Sequence, residues 1–207
     1  MFTGIVEAKA RVTRVEDVPG LRRLWMALPD IAGLTRGGSV AVDGVCLTAV
    51  EISPEAVRFD VIAETLRLTT LGALQVGSWA NVERAATVGK EIGGHMVSGH
   101  VSGVAAVVAR EDGENNVRIE VQLPQSLVPF VLRKGFVAIH GVSLTVGAVD
   151  EGRRVFDVHL IPETLDVTVL GDAEVGTRLN IEIDAMTQAV VETVRRVLAR
   201  QSGERAS

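Results

Sequence analysis

The sequence predicts an all-β protein: two homologous six-stranded Greek-key β-barrels plus a C-terminal α-helix. Three observations carry this. The octapeptide "DGVCLTAV" at 43–50 returns as "HGVSLTVG" at 140–147, inside a series of matched blocks covering most of the chain. The apolar runs are short, rich in Val, Ile and Thr, and bounded by Gly, Pro, Asn or Asp, which is strand-and-turn patterning. At 184–201 the pattern changes to helical spacing.

The matched blocks set the organisation. "MFTG" at 1–4 answers to "MVSG" at 96–99, "FDV" at 59–61 to "FDV" at 156–158, and "ETLRLTTLG" at 64–72 to "ETLDVTVLG" at 163–171. "VG" and "N-[VI]-E" then recur at Val76 with Gly77 and Asn81 to Glu83, and at Val175 with Gly176 and Asn180 to Glu182. The spacing between copies grows along the chain, as it does when loops take insertions; one insertion puts His159, Leu160, Ile161 and Pro162 where the first half has Ile62 and Ala63. The 207 residues suffice for two domains of about 100 residues, each with its own core. The expected boundaries are a barrel over 1–95, a second over 96–184, a helix over 185–201 and a disordered tail over 202–207.

Strands are expected in "SVAVDGVCLTAVEI", "AVRFDVI" and "SWANVER" in the first half, and in "NVRIEVQL", "GFVAIHGVSLTVGAV", "RVFDVHL" and "TRLNIEI" in the second. Brief helical turns are expected at Pro29 to Leu34, in both "ETL" blocks, and at Gln125 to Val131, whose Pro-flanked apolar spacing suits a barrel plug. In the last segment Met186, Val190, Val194 and Val197 form one apolar stripe, with Asp184 and Thr187 placed to cap the helix start. A lone helix of this length is marginal in water, so the stripe must pack on its own barrel or on the same helix of neighbouring subunits. Val190 and Val197 are a heptad apart, although Thr193 interrupts the seam, and oligomerisation is the favoured reading.

Composition narrows the function. A formal net charge of -5 without a basic run gives no footprint for nucleic acid. "MFTGIVEAKARV" lacks the features of an export signal and no long apolar span occurs, so no membrane is implied and the expected location is cytoplasmic. A single cysteine, Cys46, excludes an intrachain disulfide and a cysteine-based zinc cluster. No dinucleotide fingerprint, phosphate loop or nucleophile elbow is present.

The polar groups that remain sit in the repeated phrases. On a strand, Cys46 and Thr48 share a face, as do Ser143 and Thr145, and such pairs suit hydrogen bonding to a flat polar ring. Small polar residues also line barrel rims without function; recurrence in both halves weighs against that reading, and common ancestry accounts for part of the recurrence. The linker "GKEIGGHMVSGHV" at 89–101 carries His95 and His100 among Gly93, Gly94 and Gly99. A histidine titrating near neutrality is a natural proton shuttle, whereas linker histidines are more often solvated or capping. H-x4-H matches no usual zinc spacing, so no metal is expected.

"MFTGIVE", "DGVCLT", "EIGGHMVSGHV", "GVSLTVG", "HLIPETL" and "NIEIDAMTQAV", in that order, resemble the riboflavin synthase family of the alpha-chain type over nearly the full chain. The resemblance implies two lumazine-binding barrels per subunit, a homotrimer built through the C-terminal helices, and dismutation of two molecules of 6,7-dimethyl-8-ribityllumazine to riboflavin and 5-amino-6-ribitylamino-uracil. No organic cofactor or metal is implied, because the 7-methyl protons of lumazine are already acidic and its ring is its own electron sink. Association with lumazine synthase is left open.

Carried over by position, the N-barrel pocket would use Cys46, Leu47, Thr48, Asp60, Val61, Ile62, Ala63, Glu64, Thr65, Gly99, His100 and Val101. The C-barrel pocket would use Gly4, Ile5, Val6, Ser143, Leu144, Thr145, Ile161, Pro162, Glu163 and Thr164, with Lys134 reaching across a subunit boundary. Phe2, Ser39, His95 and Asp184 match supporting positions. His100, with Ser143 or Thr145, would move protons at the 7-methyl carbon, and Cys46 would assist addition or activate water at C7. His140 departs from the family's Asp before the second "G-[IV]-S-L-T", either replacing a functional carboxylate or marking a benign rim change. A lumazine- or flavin-binding antenna protein shares this architecture and is the alternative, and an interaction module of paired barrels is the bland one.

Overall fold

The computed structural model describes residues 1–89 and 91–204. The first repeat forms strands β1 (Ala8–Val18), β2 (Leu21–Ala27), β3 (Ser39–Val42), β4 (Val45–Ile52), β5 (Val57–Ile62) and β6 (Trp79–Arg84). They close an antiparallel barrel in the order β1-β2-β5-β4-β3-β6, a Greek key. On β5 the residues alternate: Val57, Phe59 and Val61 face the core, and Arg58, Asp60 and Ile62 face outward. Helix α1 (Ala63–Leu68) and a 3-10 turn over Thr70–Ala73 connect β5 to β6.

The second repeat contributes β7 (Gly103–Asp112), β8 (Val117–Gln122), β9 (Phe136–Ile139), β10 (Val142–Thr145), β11 (Val149–Asp150), β12 (Val155–Leu160) and β13 (Arg178–Ile183), with helix α2 (Pro162–Val167) after β12. This unit is the expected six-stranded type of barrel left open, a half-barrel whose sheet runs β10-β9-β13-β7-β8-β12-β11, with one strand split in two. The counterpart of β4 is broken into β10 and β11, and Asp157 supplies the reason. Its buried carboxylate accepts the Ala148 N–H at 2.9 Å and Arg118 Nε at 2.8 Å, inserting a side chain where the ladder would run. Two backbone bonds still hold the gap together, Gly147 N–H to Asp157 O at 2.8 Å and Asp157 N–H to Ala148 O at 3.0 Å.

The expected helical turn at Pro29 to Leu34 is a non-helical turn, because Asp30 Oδ1 takes the Ala32 N–H at 2.8 Å and competes with helical bonding. At Gln125 to Val131 the 3-10 turn Val128–Phe130 forms, and Leu127, Val128, Phe130 and Val131 fill the core of the second unit as a plug.

Helix α3 (Ala185–Glu204) begins where the cap was expected: Asp184 Oδ2 accepts the Thr187 N–H at 2.8 Å and the Thr187 hydroxyl at 2.7 Å. It runs three residues beyond the expected end at 201, so 202–204 are helical rather than an unstructured tail, and 205–207 lie outside the described residues. Val191 packs on the second core and Arg195 lies 5.4 Å from the centre of the Phe130 ring. The predicted stripe points elsewhere: Met186, Val190, Val194 and Val197 are 74%, 60%, 51% and 48% exposed.

The two units meet across a pseudo-twofold seam. The tips of hairpins β3–β4 and β9–β10 are "DG" and "HG" turns, with left-handed backbone at Asp43 (φ 45) with Gly44 (φ 78) and at His140 (φ 47) with Gly141 (φ 80). These tips touch backbone to backbone; a Cβ on Gly44 would lie 2.6 Å from the Gly141 nitrogen. Asn81 Nδ2 donates to His140 O and Asn180 Nδ2 to Asp43 O, both at 2.9 Å. The same two amides accept the Val169 and Thr70 N–H groups at 2.8 Å, so each unit caps the other's 3-10 turn.

Candidate functional site: two matched pockets with exchanged straps

The segment that leads into each barrel completes the other one. At the N-terminus, Phe2 pairs with Val97 as a short antiparallel bridge, Phe2 N–H to Val97 O at 2.7 Å and Val97 N–H to Phe2 O at 3.0 Å. Gly4 then crosses to the second unit, where its carbonyl accepts the Ser143 N–H at 2.8 Å. Gly99, its repeat counterpart, crosses to the first unit and accepts the Cys46 N–H at 2.9 Å. Both glycines are left-handed, and a Cβ on either would lie 2.5 Å from the Cβ of Ser143 or Cys46.

A carboxylate clamps each strap. Glu83 accepts the Thr3 N–H at 2.6 Å, the Thr3 hydroxyl at 2.8 Å and the Gly4 N–H at 3.0 Å. Glu182 repeats this with the Ser98 N–H at 2.6 Å, the Ser98 hydroxyl at 2.7 Å and the Gly99 N–H at 2.9 Å. The "N-[VI]-E" motif therefore supplies a seam amide and a strap clamp from one strand. Burial pushes the Glu83 carboxyl up, against the lowering effect of its three donors.

The pockets lie where strands splay. β4 pairs with β3 through Val45 to Thr48 and with β5 from Ala49 onward, so Cys46 and Thr48 border an unpaired stretch beside Asp60 to Ile62. In the second unit the matching gap is a cavity of about 340 Å³ lined by Lys134, Ser143, Leu144, Thr145, Val146, Gly147, His159, Ile161 and Thr164. Six of these are expected pocket residues. Val146, Gly147 and His159 were missed; the signal for His159 was the insertion that contains it.

Other expected residues have structural placements. Leu47 and Val61 belong to the first core and Val6 to the second, while Leu144 is buried in the second core as well as lining the cavity. Val101 packs against the first core from its rim. Asp60 is half-buried, 3.5 Å from Arg58 Nε and in register with Arg23, on the outer surface of β5. Ile62, Ala63 and Glu64 are exposed and Thr65 is half-buried at the start of α1; Pro162 and Glu163 are exposed at the start of α2. Ile5 and His100 are exposed, the latter donating its N–H to Ser98 Oγ at 3.1 Å. Lys134, expected to reach across a subunit boundary, lines the cavity of its own chain. Phe2 is fully buried in a seam cluster with Ala41, Val97 and Ala138, and Ser39 pairs with Thr48 on β3.

His95 is drawn into the C-barrel pocket wall rather than left solvated. Its Nδ1 lies 2.7 Å from Ser143 Oγ and its ring stacks on Phe136 with centroids 5.1 Å apart. Burial lowers its pKa, opposed by the Asp184 carboxylate, so the imidazole is neutral at neutral pH and able to exchange a proton with Ser143. Burial pushes Asp184 up, but the Thr187 hydroxyl and N–H, the Met186 N–H and His95 together hold it below its usual range. His140 takes no part in either pocket. It is buried at the seam, where its Nδ1 accepts the Asn180 N–H at 3.2 Å, the place that Asp43 Oδ1 takes for the Asn81 N–H at 2.8 Å. Among the described residues no group of acidic, His and Cys side chains is arranged to hold a metal ion.

The lumazine binding domain family matches this chain twice, over residues 3–85 and 98–184. Riboflavin synthase of Escherichia coli strain K12 is 51% identical over 96% of this chain and 94% of its own. The chain belongs to the riboflavin synthase family. Family members from Mycobacterium bovis, at 42% identity over 94% of this chain and 98% of theirs, and from Chlamydia muridarum, at 41% over 99% and 100%, agree. Among solved structures, LumP complexed with riboflavin superposes with a TM-score of 0.82 at 25% identity, covering 89% of this chain and 100% of that one. LumP complexed with 6,7-dimethyl-8-(1'-D-ribityl) lumazine gives 0.80, also at 25% identity, over 89% and 99%. The family thus joins a duplicated lumazine-binding fold to the matched pockets described above.

Proposed function

We propose that the protein is a riboflavin synthase that holds two molecules of 6,7-dimethyl-8-ribityllumazine and transfers a four-carbon unit from one to the other, yielding riboflavin and 5-amino-6-ribitylamino-uracil. The observation that carries this is the matched pair of strand gaps, beside Cys46 and Thr48 in one unit and opening as a cavity beside Ser143 and Thr145 in the other, each completed by the strap of the other repeat: a reaction between two copies of one compound needs two related sites. Identity of 51% to a curated riboflavin synthase, against 25% to LumP, supports turnover over binding alone.

Cys46 and His100 belong to the N-barrel pocket, and Ser143 and Thr145 to the C-barrel pocket. For His100 to share proton transfer with Ser143 or Thr145, two subunits must face N-barrel to C-barrel. The exposed stripe on α3 is the surface that assembles them, as a homotrimer. Orienting two reactants in this way is worth ~7–11 kcal/mol of barrier. The barrels over 1–95 and 96–184 serve as the binding units and 185–201 as the assembly helix. The single cysteine suits a reducing cytoplasm, and no described helix is long and apolar enough to cross a membrane.

The test is to mix the purified protein with 6,7-dimethyl-8-ribityllumazine and follow riboflavin absorbance. One riboflavin per two lumazines consumed is expected; tight binding without turnover would make the protein a carrier or antenna. Association with lumazine synthase is a separate reading, decided by co-sedimentation of the two purified proteins.

A further inference from the structure

The two pockets are written from matching phrases, yet the C-barrel pocket carries two basic side chains, Lys134 and His159, at positions where the first repeat has Gly37 and Ile62. Lys134 stands where the first repeat has Gly37. Each donates its N–H to the matching carbonyl, Gly37 to Ala49 O at 2.8 Å and Lys134 to Val146 O at 2.9 Å. Both are left-handed, φ 89 at Gly37 and φ 65 at Lys134, a backbone that glycine adopts freely and lysine only under strain. Such strain persists where a side chain is needed.

His159 is the second. It falls in the stretch His159 to Pro162, which replaces Ile62 and Ala63 of the first repeat, and it projects from the outer face of β12 between buried Val158 and Leu160. There it lines the cavity with Lys134, Ser143, Thr145, Ile161 and Thr164. Its charged surroundings are accounted for. Arg118 sits opposite it in register on β8 and is engaged by Asp157 at 2.8 Å and Glu120 at 2.7 Å. Asp157 is buried and spent on Arg118 and the Ala148 N–H, and Glu163 stands in the first turn of α2. Among the described residues, the cavity lining itself holds no carboxylate.

We propose that His159, with Lys134, makes the C-barrel pocket the one that holds lumazine as its anion, so that His159 determines which of two similar sites takes the deprotonated partner. The inference rests on the reading of lumazine as substrate. When a proton leaves the 7-methyl carbon for a base or water, the electron pair left on carbon delocalises through the ring to its carbonyl oxygens. An imidazole N–H can donate to such an oxygen in either protonation state, and the lysine ammonium adds opposite charge. The N-barrel repeat has Gly37 and Ile62 at the corresponding places, so neither donor is repeated in its wall; its His100 is exposed on the strap and serves the proton transfer shared with Ser143 or Thr145.

The test is an absorbance titration of 6,7-dimethyl-8-ribityllumazine bound to the full chain, read by rapid mixing before turnover, since anion and neutral forms absorb differently. In the wild-type protein one of the two lumazines bound per chain should ionise at lower pH than the free compound. His159→Gln should cut the anion-to-neutral ratio about tenfold, moving the midpoint up by about one unit, and His159→Lys should restore it. Riboflavin affinity, from fluorescence quenching, should stay within about twofold in both variants, which a merely structural defect would not allow. An unchanged midpoint in His159→Gln, or a riboflavin affinity that falls in step with it, overturns the inference. Wild-type turnover measured alongside separates the cases: no riboflavin formed defeats the enzyme reading, whereas turnover with an unmoved midpoint defeats this inference alone.

Discussion

Gly4 and Gly99 show how much of this site rests on the absence of a side chain. Each combines a left-handed backbone with an approach that would put a Cβ 2.5 Å from a pocket side chain. Gly99→Ala should cost ~1–2 kcal/mol through the backbone alone and, by displacing Cys46, lower kcat/KM by ~100-fold; thermal melts and steady-state rates check the two effects separately. The change from Asp to His between the two phrases also resolves at this scale. Asp43 and His140 do the same work, each accepting a backbone N–H from the seam asparagine of its own unit. Burial raises the Asp43 pKa, opposed by His140 and the Asn81 N–H. A raised folded-state value means that the folded protein holds this proton more tightly than the unfolded chain, so the contribution to stability is present at acid pH and is lost as pH rises through the ordinary carboxylate range to the folded value. Asp43→Asn keeps the acceptor oxygen and removes the titration. Its melting temperature should match that of the wild type below about pH 3 and exceed it at pH 7; no difference at pH 7 would show that the buried Asp43 carboxylate does not destabilise the fold.

At the scale of elements, the straps and α3 carry the consequences. Each strap is clamped by one carboxylate beside its apolar and backbone contacts, so Glu182→Ala leaves the Ser98 and Gly99 N–H groups without that partner at about 1–3 kcal/mol for each buried donor. The strap should loosen, and amide exchange at 97–101 should accelerate far more than in β6. Helix α3 keeps one face on its own barrel through Val191 and Arg195 and leaves its stripe in solvent. Val190→Asp with Val197→Asp alters exposed positions and should leave the single-chain fold within about 0.5 kcal/mol per site. Light scattering should nevertheless report a fall from trimer to monomer, with loss of turnover and retention of lumazine binding by each chain. A variant that stays trimeric would place the assembly surface elsewhere.

For the whole molecule, the seam decides whether two barrels behave as one. Asn81 and Asn180 each bond a hairpin tip and a 3-10 turn of the opposite unit, so the units are joined through four hydrogen bonds, the two to the hairpin tips buried and the two to the 3-10 turns half-buried. The wild-type chain should unfold in one calorimetric transition, and Asn81→Ala with Asn180→Ala should split it into two. Much of this architecture was legible in the sequence, since repeated blocks announce duplication, β-branched runs announce strands, and the spacing of Met186, Val190, Val194 and Val197 announces an amphipathic helix. These are local or self-similar signals, read without knowing what lies nearby. The break between β10 and β11, the exchange of straps, the burial of His95 and the seam role of His140 were not legible, because each depends on a partner outside the local pattern: Asp157 across a turn for Ala148, and, tens of residues away, Gly99 for Cys46, Ser143 for His95 and Asn180 for His140. His159 is intermediate, its insertion visible in the sequence and its place in the cavity fixed by the splaying of two strands. The sequence by itself determined the duplication, the strand content and the chemistry available. Tertiary structure decided which repeat completes which pocket and which polar groups face a ligand rather than the seam, because long-range hydrogen bonds and close glycine contacts are set by where folded segments meet and leave no periodic trace in the chain.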